Sequence, residues 1–275
     1  MPVASSLTTT LMYSTVRISN VRRDGKLGAG TAFFFRLKEN NEKGTHVPVL
    51  MTNKHVIEQA NTGELRFRCQ DAEGNVVPNK SWGVGFEKFE ADWTPHPDNN
   101  VDLCYLPFAP ILRVAEKQGI QIHFRSIGKK DIPSQAQLEE LKAVEEILMV
   151  GYPIGLFDEI NNLPIYRRGI TATHPAFKYN GKEEFLIDAA CFPGSSGSPV
   201  FIASEGIVHT PQGLNLGSSR FYFMGVLYAG PQWTADGTLE VVNVPTAAIP
   251  IARIKIPINI GVVIQAYRIL EFDKL

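Results

Sequence analysis

Short apolar runs recur along the chain, separated by clusters of Gly, Pro, Asn and Asp. They include "YSTVRIS" (13–19), "GTAFFFRL" (30–37), "VPVLMT" (47–52), "LRFRC" (65–69) and "VDLCYLPF" (101–108). "EILMVGY" (146–152), "FLIDAAC" (185–191), "SPVFIA" (198–203), "RFYFMGVLYAG" (220–230) and "LEVVNVP" (239–245) continue the series. Val, Ile, Phe and Tyr dominate them, and each has the length of a strand. The pattern predicts an all-β protein, an antiparallel sandwich or a pair of barrels. Two segments read as helices. "SQAQLEELKAVEEI" (134–147) is made of good helix formers, with Ser134 as its cap. "NIGVVIQAYRILEF" (259–272) carries Ile260, Val263, Ile264 and Tyr267 at helical spacing behind a capping Asn259. No Pro/Gly/Ser-rich linker divides the 275 residues, so residues 1–275 are expected to form one unit. Within it the expectation is a first barrel over about 15–115, a second over about 145–250 and a helical segment over 251–275.

Composition narrows the function. Hydrophobic residues make up 44 % of the chain, enough for a sizeable core, and the net charge is −1. Arg22-Arg23, Lys129-Lys130 and Arg167-Arg168 are isolated basic pairs and read as solvated surface, so nucleic acid is not an expected partner. Three cysteines, Cys69, Cys104 and Cys191, do not make a disulfide framework, and none stands in a CxxC pair. No metal or cofactor is expected. The first twenty residues lack the charged start and apolar run of a signal peptide, and no stretch of about 18 apolar residues suggests a membrane span. Together these features suit a reducing, cytoplasmic setting.

"CFPGSSGSPVF" (191–201) is the stretch that carries chemistry. It is either a polar turn between two strands or the backbone cradle of a nucleophile. A serine hydroxyl attacks a carbonyl only with a base in reach, a group that orients the base, and N–H donors for the oxyanion. Gly194, two residues before Ser196, lets the backbone turn the Gly194 and Ser196 N–H groups toward one point. That spacing selects Ser196 over Ser195 and Ser198. Of the six histidines, His55 alone follows an apolar strand, "VPVLMT", and sits where the chain turns. His46, His96, His123, His174 and His209 lie in polar or Pro-containing contexts. Asp102 opens an apolar run, whereas the competing Asp98 lies inside the polar "HPDNN"; a strand-initiating cap is the ordinary alternative for Asp102.

"TNKHV", "DNNVDLCYL" and "FPGSSGSPV", in that order, resemble the motifs of the trypsin-like (chymotrypsin-fold) serine peptidases. "GAGTAFFF" (28–35), "VGYPIGL" (150–156), "RRGITAT" (167–173) and "FMGVLYAG" (223–230) extend the resemblance toward the HtrA-like bacterial members. It covers roughly residues 15–250, with no PDZ-like segment after them. The resemblance implies two antiparallel six-stranded β-barrels with the site at their junction, and an intracellular, prokaryotic serine endopeptidase. It makes His55 the general base, Asp102 its orienting acid, Ser196 the nucleophile, and the Gly194 and Ser196 N–H groups the oxyanion hole. It also puts Ala190 at the floor of the S1 pocket and Tyr228, Ala229 and Gly230 along one wall.

The departures from the family pattern also matter. Ser195 stands where secreted trypsins carry the aspartate that pairs with a cut N-terminus, so activity is not expected to need such processing. Val56 replaces a cysteine, and Ser198 a glycine. The full-length chain is then expected either to be active as it stands or to be switched on by ordering of loops 156–166 and 204–220 or by a regulatory protein partner. Ala190 offers no carboxylate, so small or medium apolar P1 residues are expected unless Asp236 or Glu240 reaches in. An α/β-hydrolase would need G-x-S-x-G and the order Ser, Asp, His, neither of which the chain has. The other alternative is a peptidase-fold protein that binds peptides or partners and cleaves nothing.

Overall fold

The computed structural model describes residues 6–40, 42–210, 213–238 and 251–274. Its first half is a mostly antiparallel sheet. The short helix α1 (Leu7–Leu11) leads into β1 (Thr15–Arg22), β2 (Leu27–Asn40) and β3 (Thr45–Thr52). One turn of helix, α2 (Lys54–Ile57), precedes β4 (Ala60–Gln70), β5 (Val76–Phe86), β6 (Thr94–Pro95) and β7 (Cys104–Pro107). Helix α3 (Ala109–Lys117) and β8 (Gln121–His123) complete this half. The strand order is β5-β4-β1-β2-β3-β7-β6, with β8 also on β4. This sheet has eight strands and stays open, where a closed six-stranded barrel was expected. The cause is local: β6 is two residues long and ends in Pro95, which has no N–H to extend a ladder.

The second half closes. Helix α4 (Gln135–Glu139) precedes β9 (Glu146–Gly151), β10 (Ile165–Thr171), β11 (Glu184–Asp188) and β12 (Pro199–Ser204). A hairpin follows, β13 (Ile207–Thr210) with β14 (Gly213–Leu216), then β15 (Arg220–Ala229). A second hairpin, β16 (Gln232–Thr238) with β17 (Ile251–Pro257), leads to β18 (Ile260–Gln265) and a 3-10 segment, Ala266–Lys274. The barrel runs β10-β11-β18-β15-β12-β9.

Two helix expectations are corrected here. Residues 134–147 are helical only over Gln135–Glu139, where Ser134 and Gln137 form the capping box. From Glu146 the chain is needed as barrel strand β9. Residues 259–272 are helical only from Ala266, in the 3-10 segment. Residues 260–265 are β18, paired with β11 and β15, so the second barrel extends past residue 250. Apolar residues at helical spacing here also fit a strand, and the β-branched run Val262, Val263, Ile264 favours it. The strand expected at 239–245 lies outside the described residues.

"AFFF" explains how the halves join. Successive side chains on β2 face opposite ways. Phe34 therefore enters the core of the first sheet, with Ile18, Leu50, Phe67 and Phe108. Phe33 and Phe35 face the other way and pack with Val150, Phe201, Phe223 and Ile264 of the barrel. The C-terminal 3-10 segment adds Ile269 and Phe272 to this shared core.

Candidate active site

The site lies where β2 and β3 meet the turn before β12. Strand β3 ends at Thr52, and α2 presents His55 at the edge. His55 Nδ1 lies 2.5 Å from Asp102 Oδ2, and the His55 backbone N–H donates to Asp102 Oδ1 at 3.1 Å. Asp102 itself is held by Asn53, whose Nδ2 donates to the Asp102 carbonyl at 2.7 Å. Both carboxylate oxygens are thus committed to one residue, which fixes the imidazole plane and directs Nε2 outward. Asp98 faces elsewhere: it accepts from Asn100 N–H and from Arg268, both at 2.9 Å. Those bonds hold its carboxyl below the usual range.

Ser196 is carried on a turn that the first sheet grips. Thr31 N–H donates to the Ser196 carbonyl at 2.9 Å, Thr31 Oγ1 to the Gly194 carbonyl at 3.2 Å, and Thr52 Oγ1 to the Thr31 carbonyl at 2.7 Å. The same two threonines thus border the histidine turn and the serine turn. Ser196 Oγ donates to the Tyr228 carbonyl at 3.5 Å rather than to His55. Ser195 and Ser198 are buried, the first against Arg167 and the second against Thr31 Oγ1. Ser196 is the half-exposed member of the trio.

The turn is wired so that its carbonyls are used up. Phe192 O accepts from Ser195 N, Pro193 O from Ile154 N, Ser195 O from Ser198 N, and Gly194 O and Ser196 O from Thr31. Among the described residues, no acceptor engages the Gly194 or Ser196 N–H. Pro193-Gly194 occupies the centre of a type II turn, with Gly194 at φ 85°. The planar peptide directs Gly194 N–H opposite to the carbonyl that Ile154 holds. Gly197 is also left-handed, at φ 85°, and a β-carbon there would stand 1.9 Å from the Thr31 carbonyl oxygen. Gly197→Ala should therefore lower stability by more than the roughly 1–2 kcal/mol of the left-handed backbone alone. A denaturant midpoint equal to that of the parent would show that this turn can move away from Thr31.

A cleft of about 120 Å³ opens beside Ser196. Cys191, Phe192 and Pro193 line it together with residues 227–231, which include Tyr228, Ala229 and Gly230. Ala190 is not among the lining residues: its carbonyl turns toward Arg167, and the next side chain, Cys191, faces the cleft. Cys191 fills the back. A β-carbon on Gly261 would come within 2.7 Å of its sulfur, and one on Gly230 within 3.7 Å of its β-carbon. Burial pushes the Cys191 thiol up to about 11, so it stays neutral at neutral pH. The Tyr228 hydroxyl donates to Glu184 at 2.9 Å, which leaves mainly its backbone to the cleft. Glu240 lies outside the described residues. Asp236 is in β16, opposite Arg253.

Three of the other histidines are tied into the structure. His96 donates from Nε2 to the Arg268 carbonyl and accepts from Asp98 N–H at Nδ1, both at 3.0 Å. His123 meets Gln70, and His174 meets the Leu141 carbonyl. His46 is exposed, and His209 lies in β13. The sequence reading missed Asn53, Cys191 and Arg167. Loop 156–166 rests on the first sheet: Arg68 donates to the Asn161 carbonyl, Asn162 to the Arg66 carbonyl, and the Arg17 guanidinium lies 4.4 Å over the Phe157 ring.

A family model described as "Trypsin-like peptidase domain" matches residues 30–208. No curated protein matches the chain. Among solved structures, the HtrA-type protease AlgW with a tripeptide is 13 % identical with a TM-score of 0.50. That match covers 96 % of this chain and 60 % of AlgW. The active form of the Rv3671c protease from M. tuberculosis is 16 % identical with a TM-score of 0.46, over 98 % of this chain and 86 % of that one. Deg5 is 14 % identical with a TM-score of 0.43, over 81 % and 82 %. The family match spans more than half of the chain, and the similarity to AlgW extends to the fold. The chain belongs to the trypsin-like peptidase family and is a serine endopeptidase.

Proposed function

We propose that the protein hydrolyses peptide bonds through an acyl-enzyme at Ser196, with His55 as general base and Asp102 as the residue that orients it. The observation that carries this reading is the double contact between Asp102 and His55, at 2.5 and 3.1 Å. A proton held on Nδ1 by the carboxylate leaves Nε2 as an acceptor. In the cycle, Ser196 Oγ turns from the Tyr228 carbonyl toward Nε2 and gives up its proton as it attacks the scissile carbonyl. The Gly194 and Ser196 N–H groups, which no carbonyl of the turn uses, receive the developing oxyanion. The imidazolium then protonates the leaving amine, and a water activated by the same histidine releases the acid.

A fluorophosphonate probe tests the reading. It should label the full chain on Ser196, with one adduct by mass. An intact protein left unlabelled would instead be the peptide-binding alternative, for which the Ser196–Tyr228 contact would be the resting state rather than a starting point.

The substrates in this reading are peptides or proteins in a reducing cytoplasm, where the free Cys69, Cys104 and Cys191 would persist. The cleft read as S1 is small, about 120 Å³, lined by the neutral Cys191 thiol and, among the described residues, by no acid. Cleavage should therefore follow small or medium apolar residues, with Ala and Val ahead of Leu and Met. A P1 peptide library read by mass spectrometry checks this. Preferred cleavage after Lys or Arg would contradict it, since burying their charge without a partner is costly.

A further inference from the structure

One cation touches the nucleophile turn from behind, and the proposed chemistry does not use it. Arg167 lies in β10, and its Nη1 donates to the Ala190 carbonyl and, at 3.1 Å, to Ser195 Oγ. Its guanidinium also sits 5.1 Å from the centre of the Phe192 ring. A single side chain therefore grips residues 190, 192 and 195, just before Ser196. Ser195 is 2 % exposed, and Arg167 is the partner of its side chain.

Arg167 is half-buried, and no carboxylate pairs with it among the described residues. Burial pulls its pKa below the usual arginine value. Its neighbour Arg168 is different: exposed and paired with Glu146 across the strand surface. An arginine kept half-buried against neutral oxygens and a ring gives up hydration for little Coulomb return. It suits a role in which geometry matters more than charge pairing, since the planar guanidinium fixes several groups at once.

We propose that Arg167 is a positioning residue that locks the segment 190–196 in the shape that presents the Gly194 and Ser196 N–H groups. This rests on the peptidase reading above. The lock complements those on the other side of the turn, where Thr31 and Ile154 hold the carbonyls of Ser196, Gly194 and Pro193. Without Arg167, the Ala190 carbonyl and the Ser195 hydroxyl lose a donor, and the segment leading into the turn is anchored from the Thr31 and Ile154 side alone. Competence is then built into the folded chain, with the cation supplied from its own barrel.

The test uses the full chain with R167M, R167K and R167A. Wild-type labelling by the fluorophosphonate comes first, because an unlabelled wild type would refute the peptidase reading rather than this one. R167M should lower kcat by about 10²-fold, the order expected when a reacting group is held out of place, with KM little changed. Labelling of Ser196 should slow in parallel. R167K, which keeps the charge and most of the reach, should fall between R167M and wild type. Millimolar guanidinium ion should restore part of the R167A rate, because it can refill the site that the side chain left. A wild-type kcat in R167M or R167K overturns the inference. So does a loss that guanidinium leaves untouched and that follows the unfolded fraction on the melting curve. If R167M does not fold, R167K and the rescue of R167A decide the matter.

Discussion

Ser196→Ala should remove on the order of 10⁴-fold or more of kcat while the melting temperature stays close to that of the parent. The two expectations have separate causes. The side chain is half-exposed, and its hydroxyl makes one long contact, 3.5 Å to the Tyr228 carbonyl. Removing it opens no core cavity and strands no buried donor. The backbone of Ser196, which bonds to Thr31, is unaffected. The chemistry, by contrast, loses the one serine hydroxyl of this turn that is not buried, because Ser195 and Ser198 are buried and bonded to Arg167 and Thr31. Peptide turnover and thermal melting, measured together, decide it. Substantial turnover in a folded Ser196→Ala protein would mean that another group attacks.

Asp102→Asn should cost about 10⁴-fold in kcat with peptide binding retained. The amide is close in size and can keep the contact with the His55 backbone N–H through its oxygen. Its NH₂ group then faces Nδ1 as a donor, which moves the imidazole proton to Nε2 and blocks it as a base. Asp98→Asn provides the control. Asp98 is bonded to Asn100 and Arg268, and its loss should loosen the C-terminal 3-10 segment before it touches turnover. The reverse pattern, with Asp98→Asn inactive and Asp102→Asn active, would reassign the acid.

The strands were legible wherever the apolar run was short and β-branched, and so was the turn that carries the serine. Both have local causes: side-chain alternation in the first case, and two glycines that must be left-handed in the second. What could not be read depended on distant partners. The apolar positions of 259–272 fit either a helix or a strand, and only the barrel, which needs a neighbour for β11 and β15, decides between them. The open first sheet is a different case: its cause, Pro95 at the end of the two-residue β6, is local, but the resemblance to a closed barrel outweighed it. Arg167 was misjudged for a different reason. Read as one of a solvated pair, it ignored the rule that adjacent strand residues face opposite sides. Once 165–171 is taken as a strand, one of Arg167 and Arg168 must point inward. Ala190 was placed by the family resemblance, which locates the residue but not which way its side chain points.

The core shared by Phe33, Phe35, Phe201, Phe223 and Phe272 has a consequence for how the molecule is made. Rings from both halves meet there, so neither half can bury its own without the other. The nascent first sheet therefore leaves the ribosome with an apolar face uncovered until β9, β12, β15 and β18 arrive, the kind of surface that makes folding intermediates prone to aggregate. The same dependence couples the two halves, so a substitution that loosens this shared core should disturb the histidine turn and the serine turn together.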